Sequence, residues 1–159
     1  MKEAVLEMKD ITFYEPYAEG IREMVSGLSL EIRKGEIRTV KTSGSVETHA
    51  LYLIVSGEEE PTVGTVRRAV GSIGKIRRGA AAFPEFQVYE NMALAFGGRY
   101  RKGTAREYDF DPRMKTSELS RADQKRLMFL QRYLQKPVYI VAVYFMNTGF
   151  MSLDIIIKA

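Results

Sequence analysis

The eight residues from Val138 to Phe145, VYIVAVYF, form an unbroken apolar run rich in β-branched and aromatic side chains. Lys136 and Pro137 precede the run, and proline cannot continue a helix. Such a run is typical of a strand that is buried on both faces of a sheet in an α/β protein. The sequence therefore predicts a central, covered strand, because an exposed one would be prone to aggregate.

The segments before this strand alternate between strand and helix patterns. Residues 116–135 carry Leu127, Leu130 and Leu134 on one helix face, which predicts a helix. Further patterns predict strands over 4–14, 28–33, 37–40, 61–70 and 72–77, helices over 48–55 and within 84–95, and loops over 15–20 and 97–115. The order predicts an α/β protein in one domain, residues 1–159, with a mixed sheet, antiparallel N-terminal strands and flanking helices.

Composition excludes several classes of site. The 159 residues include no cysteine, so disulfides, thiolate metal sites and cysteine nucleophiles are excluded. The single histidine, His49, rules out a metal site built from several histidines. No apolar run approaches the roughly 20 residues that cross a bilayer, and the first residues lack the apolar core of a secretory signal. We therefore expect a cytoplasmic protein with no membrane span and no bound metal.

Five stretches of the chain are similar, in order, to one protein family. The strand and turn LSLEIRKGE lead to the string SGS, and QKP stands before the apolar run. The full set comprises residues 28–36, 43–45, 57–66, 73–91 and 119–137. Their order and spacing resemble the nucleotide-binding domain of ABC-type ATPases, in the P-loop NTPase superfamily. The resemblance implies an incomplete P-loop NTPase-like fold, with the family's final strands falling beyond Ala159.

This resemblance places the family's phosphate loop at KTSGSVET, residues 41–48. Such a loop uses glycines to let backbone N–H groups converge on phosphates, a Lys for the β and γ charges, and a Ser or Thr for Mg²⁺. Here Lys41 begins the stretch, Gly44 is the only glycine, Glu47 stands at the lysine position and Thr48 at the hydroxyl position. We therefore expect no nucleotide cofactor, and we expect Thr48 to hydrogen-bond the first helical turn.

The other catalytic positions that the resemblance implies are also substituted. The Walker B Asp and Glu, which hold Mg²⁺ and polarise water, correspond to Val143 and Tyr144. The Q-loop glutamine corresponds to Arg78, and the family's switch histidine would lie beyond Ala159. His49 comes too early in the chain for that role and is expected to be structural. The resemblance thus implies a degenerate domain, a pseudoenzyme without catalytic residues.

Two further positions have both a functional and a structural interpretation. In the signature-like segment LSRADQ, which begins at Leu119, Ser120 stands where the family contacts a partner's γ-phosphate. Asp123, three residues later, also predicts a helix cap, and we favour the cap. Tyr14 and Tyr17 are candidates for an aromatic residue stacked on adenine, and either is as readily a packing residue.

Basic residues are unevenly distributed, which predicts a basic surface. They are Arg67, Arg68, Lys75, Arg77, Arg78, Arg99, Arg101, Lys102 and Arg106. We prefer a non-catalytic subunit or regulatory module whose partner is an ABC-type ATPase or a larger assembly, because the fold pattern persists without the catalytic side chains. The alternatives are a basic nucleic-acid-binding protein, with Tyr100 available to stack on bases, and a nucleotide sensor that does not hydrolyse.

Overall fold

The computed structural model describes residues 3–77, 79–96, 100, 103–145 and 151–156. The strands are β1 (Ala4–Tyr17), β2 (Gly20–Arg33), β3 (Ile37–Thr42), β4 (Val63–Arg68), β5 (Ile73–Ile76), β6 (Tyr139–Phe145) and β7 (Met151–Ile156). The helices are α1 (Ser45–Ser56), α2 (Val88–Ala95), the single turn α3 (Thr104–Glu107) and α4 (Arg121–Leu134), with a 3₁₀ turn at Thr116–Glu118. This mixture of strands and helices confirms the predicted α/β class.

The chain divides into two compact units. The first comprises Met1–Arg78 together with Val138–Ala159, and the second comprises Gly79–Pro137. All the named strands and α1 lie in the first unit, whereas α2, α3 and α4 lie in the second. The single domain predicted over residues 1–159 stays a prediction.

The N-terminal strands are antiparallel, as predicted, and their order in the sheet is β2-β1-β4. The predicted loop over residues 15–20 is wrong, because β1 and β2 continue as a hairpin until a turn at residues 18–19. Pro16 pairs with Ile21 of β2, whereas the pairing of β1 with β4 reaches only Thr12. The proline therefore lies where β1 has a neighbour on one side only, which is where a sheet tolerates the missing N–H.

The second sheet has the order β3-β7-β6-β5. Strand β6 is parallel to β5 and antiparallel to β7, which also pairs antiparallel with β3. Residues 139–143 of β6 are buried, so the predicted central, covered strand is confirmed. Strand β7 was not predicted, and it separates β3 from β6 in the sheet.

Helix α1 contacts strands of both sheets and contributes Leu51, Ile54 and Val55 to the core of the first unit. Its C-terminus is closed by Gly57, whose φ of 72° lies in the left-handed region that glycine adopts readily. A guanidinium N–H of Arg68 donates to the carbonyl of Ile54 at 2.7 Å, and the hydroxyl of Tyr139 donates to that of Val55 at 2.7 Å. Both contacts satisfy carbonyls that a helix end leaves without partners.

The second unit has its own core, which includes Val88, Met92, Phe110, Leu127 and Leu130. Two sequence predictions need correction here. Residues 97–115, predicted to be mostly loop, contain the single turn α3, whose buried Ala105 packs into this core. The helix predicted over 116–135 begins only at Arg121, because the backbone of residues 119 and 120 is extended between the 3₁₀ turn and α4.

Candidate functional site

The segment predicted to match a phosphate loop connects β3 to α1. Thr42 ends the strand, Gly44 precedes the helix, and the side chain of Thr48 is fully buried in the first helical turns. The hydroxyl of Thr48 donates to the carbonyl oxygen of Gly44 at 2.7 Å and is also hydrogen-bonded to the hydroxyl of Thr42. The prediction that Thr48 hydrogen-bonds the first helical turn is therefore confirmed.

The carboxylate of Glu47 folds back over this segment. Its Oε2 atom accepts the backbone N–H of Ser43 at 2.9 Å and the hydroxyl of Ser43 at 2.7 Å. Glu47 also lies in the first turn of α1, where the partial positive charge of a helix N-terminus favours a carboxylate. The N–H and hydroxyl donors of Ser43 are therefore already occupied by the Glu47 carboxylate.

A groove of about 570 Å³ lies beside the loop. One wall is residues 22–26 of β2, and the other is residues 43–47. Gly44 and Glu47 line the groove, whereas Lys41 and Thr48 do not. The charged side chains along it are Arg22, Glu23 and Glu47.

The positions predicted to match Walker B lie on β6. Val143 is buried, with 9% of its surface exposed, and Tyr144 follows it in the strand. In the register of the sheet, Asp154 of β7 stands opposite Ala142 of β6 and Thr39 of β3. Sequence reasoning missed this carboxylate at a central strand, although the alternation of apolar and polar residues in MSLDI is a period-two signal for a strand.

The two tyrosines that are candidates for stacking on adenine lie on β1. Tyr14 and Tyr17 are exposed on β1, and neither lines the groove. The guanidinium of Arg22 lies 5.8 Å from the ring centre of Tyr17. His49 is exposed on α1.

In the signature-like segment, Ser120 is the N-cap of α4. Its hydroxyl oxygen accepts the backbone N–H of Asp123 at 3.1 Å and donates to the Asp123 carboxylate at 2.7 Å. Leu119, just before it, is half-buried against the core of the second unit. The predicted helix cap is therefore confirmed.

The described part of the predicted basic surface is largely ion-paired. Arg67 lies 3.6 Å from Glu7, and Arg68 lies 2.8 Å from Glu60. Both Lys75 (3.2 Å) and Arg77 (2.5 Å) contact the carboxylate of Glu58. Arg78, Arg99, Arg101 and Lys102 lie outside the described residues.

The loop before α2 carries aromatic residues that sequence reasoning did not single out. Phe83 and Phe86 are 57% and 40% exposed, with ring centres 5.2 Å apart. The buried side chain of Asn91 holds this loop: its oxygen accepts the N–H of Phe83, and its amide donates to the carbonyl of Phe83 and to the hydroxyl of Thr116, all within 2.9 Å. A buried, satisfied amide of this kind makes a loop rigid.

Neither a metal-binding cluster nor a membrane-spanning helix is found among the residues that the structure describes. Within the described residues, no group of three or more His, Cys, Asp or Glu side chains is placed to hold a metal ion. None of the helices in that part of the chain is both long and apolar enough to cross a membrane.

Part of the chain is similar to a curated protein. No protein-family model matches the chain. Over 113 residues the chain is 32% identical to the lipoprotein-releasing system ATP-binding protein LolD of Acinetobacter baylyi. The match covers 59% of this chain and 48% of LolD, so the chain spans about half the length of that relative.

Solved structures share the fold. A chain assigned to the metal-chelate type of ABC transporter superposes with a TM-score of 0.67 and 14% identity, over 87% of this chain and 59% of that one. CbiO1 of Clostridium perfringens, part of the ABC transporter complex CbiONQ, superposes with a TM-score of 0.66 and 14% identity. The match covers 87% of this chain and 64% of CbiO1. A dimeric bacterial ABC transporter cassette superposes with a TM-score of 0.57 and 16% identity, over 86% of this chain and 72% of the cassette. The fold that the resemblance in the sequence implied is therefore confirmed: the chain has the fold seen in these ABC transporter structures.

Proposed function

We propose that this chain is a non-catalytic ABC ATPase-like subunit that regulates or scaffolds a cytoplasmic protein complex. The observation that carries the proposal is the position of Glu47, whose carboxylate accepts both the N–H and the hydroxyl of Ser43. A phosphate would need such donors, and it would have to displace a carboxylate that is covalently part of the loop. The loop is therefore suited to holding its own anion rather than a nucleotide.

Electrostatics supports the same proposal. Two unit charges about 4 Å apart interact by roughly 4 kcal/mol at an effective dielectric near 20. With a carboxylate where a lysine would attract the phosphates, this energy opposes binding instead of favouring it. The binding free energy of a micromolar nucleotide site totals about 8 kcal/mol, so the change removes most of it.

Strand β6 supports the absence of hydrolysis. Phosphoryl transfer to water needs a carboxylate for Mg²⁺ and another to polarise the water. The strand reads YIVAVYF and contains no acidic residue. Asp154 of β7 pairs opposite Thr39, three residues before the end of β3, so its backbone position is offset from the loop.

The exposed aromatic residues of the second unit support a protein partner. Phe83 and Phe86 are each at least 40% exposed. Asn91 already orders the loop that carries them, so binding would cost little conformational entropy. Large aromatic side chains on a rigid loop are common anchors of protein interfaces. CbiO1, which has the same fold, is part of a transporter complex.

Native mass spectrometry of the protein, gently isolated from its own cells, tests the proposal when bound nucleotide is assayed in the same sample. We expect a defined complex with at least one other protein. We also expect isothermal titration of the isolated chain with ATP, ADP and AMP, with and without Mg²⁺, to give no binding heat.

Two results would contradict the proposal. A lone monomer that carries a nucleotide would make the chain a nucleotide sensor, and ATP hydrolysis by the purified chain would make it an enzyme. Glu47→Gln is the informative variant, because it removes the charge and keeps the shape. We expect Glu47→Gln to bind ATP more tightly than the wild type, because the repelling charge is gone. Weaker nucleotide binding by the variant than by the wild type would contradict the proposal.

A further inference from the structure

A second pocket lies in the second unit, apart from the loop at residues 41–48. Its volume is about 650 Å³, within the range of about 300–1,000 Å³ that is typical of ligand sites. Four of its lining residues have aromatic or cationic side chains that can contact a ligand: Tyr89 from α2, Tyr100, Arg106 from α3 and Arg113. The pocket thus combines two aromatic rings with two guanidinium groups.

The walls of this pocket are held by hydrogen bonds. The hydroxyl oxygen of Tyr100 accepts the N–H of Ala105 at 3.0 Å, which ties Tyr100 to α3. The N–H of Tyr89 donates to the carbonyl of Pro112 at 3.0 Å, which ties α2 to the turn that carries Arg113. A ligand would therefore meet a largely preformed site.

The two arginines of the pocket differ from the other basic residues. Within the part of the chain that the structure describes, neither Arg106 nor Arg113 forms an ion pair, and both are exposed. Among the described residues, no carboxylate lines the pocket. By contrast, Arg126 of the same unit contacts Asp123 at 3.4 Å and lies over the ring of Phe110. Arg106 and Arg113 therefore remain available to an external anion.

We propose that this pocket binds single-stranded nucleic acid, with Tyr89 and Tyr100 packing against a base and Arg106 and Arg113 contacting phosphates. Aromatic side chains that stack on bases, beside cations that follow the backbone, are how proteins hold single strands without reading sequence. An acidic peptide would satisfy the guanidinium groups equally well. It would offer no planar group to the two tyrosines, and so the nucleic acid is favoured.

Fluorescence anisotropy with a labelled 12-mer of thymidine, titrated with the full chain at several salt concentrations, tests the proposal. Each phosphate contact contributes about 0.7 to the slope of log K against log salt for a single strand. The double variant Arg106→Gln/Arg113→Gln should therefore flatten this slope by about 1.4. Tyr89→Leu should weaken binding about 5- to 100-fold, as expected for the loss of a stacked base.

The matched control is Arg121→Gln/Lys125→Gln, which removes the same charge from exposed positions of α4 in the same unit. This control should retain the wild-type slope to within the change for one contact. Circular dichroism and thermal melting identify any variant that is misfolded, and Tyr89→Phe then replaces Tyr89→Leu, with binding retained because the ring remains.

Three outcomes would overturn the proposal. If the pocket variant and the control flatten the slope of log K against log salt equally, net charge alone attracts the strand. Competition by a 12-residue polyglutamate at the same concentration as the strand would identify an acidic-peptide surface. Binding of thymidine monophosphate or inorganic phosphate as tight as that of the 12-mer would identify a small-anion site.

Discussion

At the scale of single residues, the loop before α1 is organised by its own side chains. Glu47 accepts two hydrogen bonds from Ser43, and the buried hydroxyl of Thr48 is shared between Thr42 and the carbonyl of Gly44. Buried polar groups of this kind are stable only when they are paired. The loop therefore keeps its shape without a ligand.

Gly44 and Gly64 differ in what an added Cβ would meet. Gly44 has extended backbone with φ −171°, and a Cβ there would have no atom within 4 Å. Gly64 has φ +93°, and its Cβ would lie 2.4 Å from the carbonyl oxygen of Lys9. We expect Gly44→Ala to change the free energy of unfolding by less than about 1 kcal/mol, because the entropic gain and the poorer N-cap oppose each other. The matched Gly64→Ala should cost more than about 2 kcal/mol.

Denaturant titration measures both glycine variants. If both variants lose a similar free energy of unfolding, Gly44 is required for the backbone of the loop, although its Cβ position is open.

The ion pairs of Glu58 predict a dependence of stability on pH. Burial opposes ionisation of Glu58, but hydrogen bonds from Arg77 and Lys75 outweigh it and lower the pKa of this carboxyl below its ordinary 4.5. Because the pKa is lowered in the folded state, the pairing stabilises the fold above that value. The contribution is lost as the pH falls through the folded pKa.

Glu58→Gln should therefore lose less stability than the wild type on acidification below pH 4.5. Thermal melting across this range measures the effect. Glu59→Gln, at an exposed neighbouring position, is the control and should follow the wild type. A parallel pH profile for Glu58→Gln and the wild type would rule out this ion pair as the cause.

At the scale of elements, both helices that flank the predicted motifs depend on their ends. Helix α1 is closed at its C-terminus by Arg68 and Tyr139, which come from β4 and β6. Burial raises the pKa of the Tyr139 hydroxyl to about 12, against a smaller lowering effect of Arg68, so this hydroxyl stays a donor through the neutral range. Helix α4 is closed at its N-terminus by Ser120.

Ser120→Ala should destabilise the second unit by about 1 kcal/mol, because the N–H of Asp123 loses its acceptor. The matched control, Ser117→Ala, changes an exposed serine nearby and should stay within about 0.5 kcal/mol of the wild type. Denaturant titration followed by far-UV circular dichroism measures both variants. If Ser120→Ala is as stable as Ser117→Ala, the cap contributes nothing and another role for Ser120 becomes the better explanation.

At the scale of the whole molecule, β7 joins the two halves of the second sheet. All its named pairings are with β3 on one side and β6 on the other. Without β7, the backbone groups of both neighbours would lose their partners in this sheet, and each unsatisfied group costs about 1–3 kcal/mol when buried.

Truncation after Phe145 should therefore abolish cooperative folding of the first unit and cause aggregation through the exposed edge of β6. Truncation after Ile156 keeps β7 and serves as the control. Gel filtration and thermal melting distinguish the two chains. A monomeric product of the shorter truncation with an unchanged melting temperature would show that β7 is dispensable.

The sequence by itself determined the elements whose signal is local. The apolar run at residues 138–145 predicted β6, and Ser120 with Asp123 predicted the N-cap of α4. It also carried the order of motifs from which the ABC ATPase-like fold was predicted. The strand and cap signals depend on side chains within a few residues of one another, where periodicity and capping act, whereas the order of motifs spans residues 28–137.

Only the tertiary structure decided which distant residues meet. It placed β7 between β3 and β6, extended β1 and β2 through Pro16, and paired Lys75 and Arg77 with Glu58. It also brought the tyrosines and arginines of the second pocket together from separate elements. Strand register and ion pairing depend on long-range packing, which local propensity does not encode.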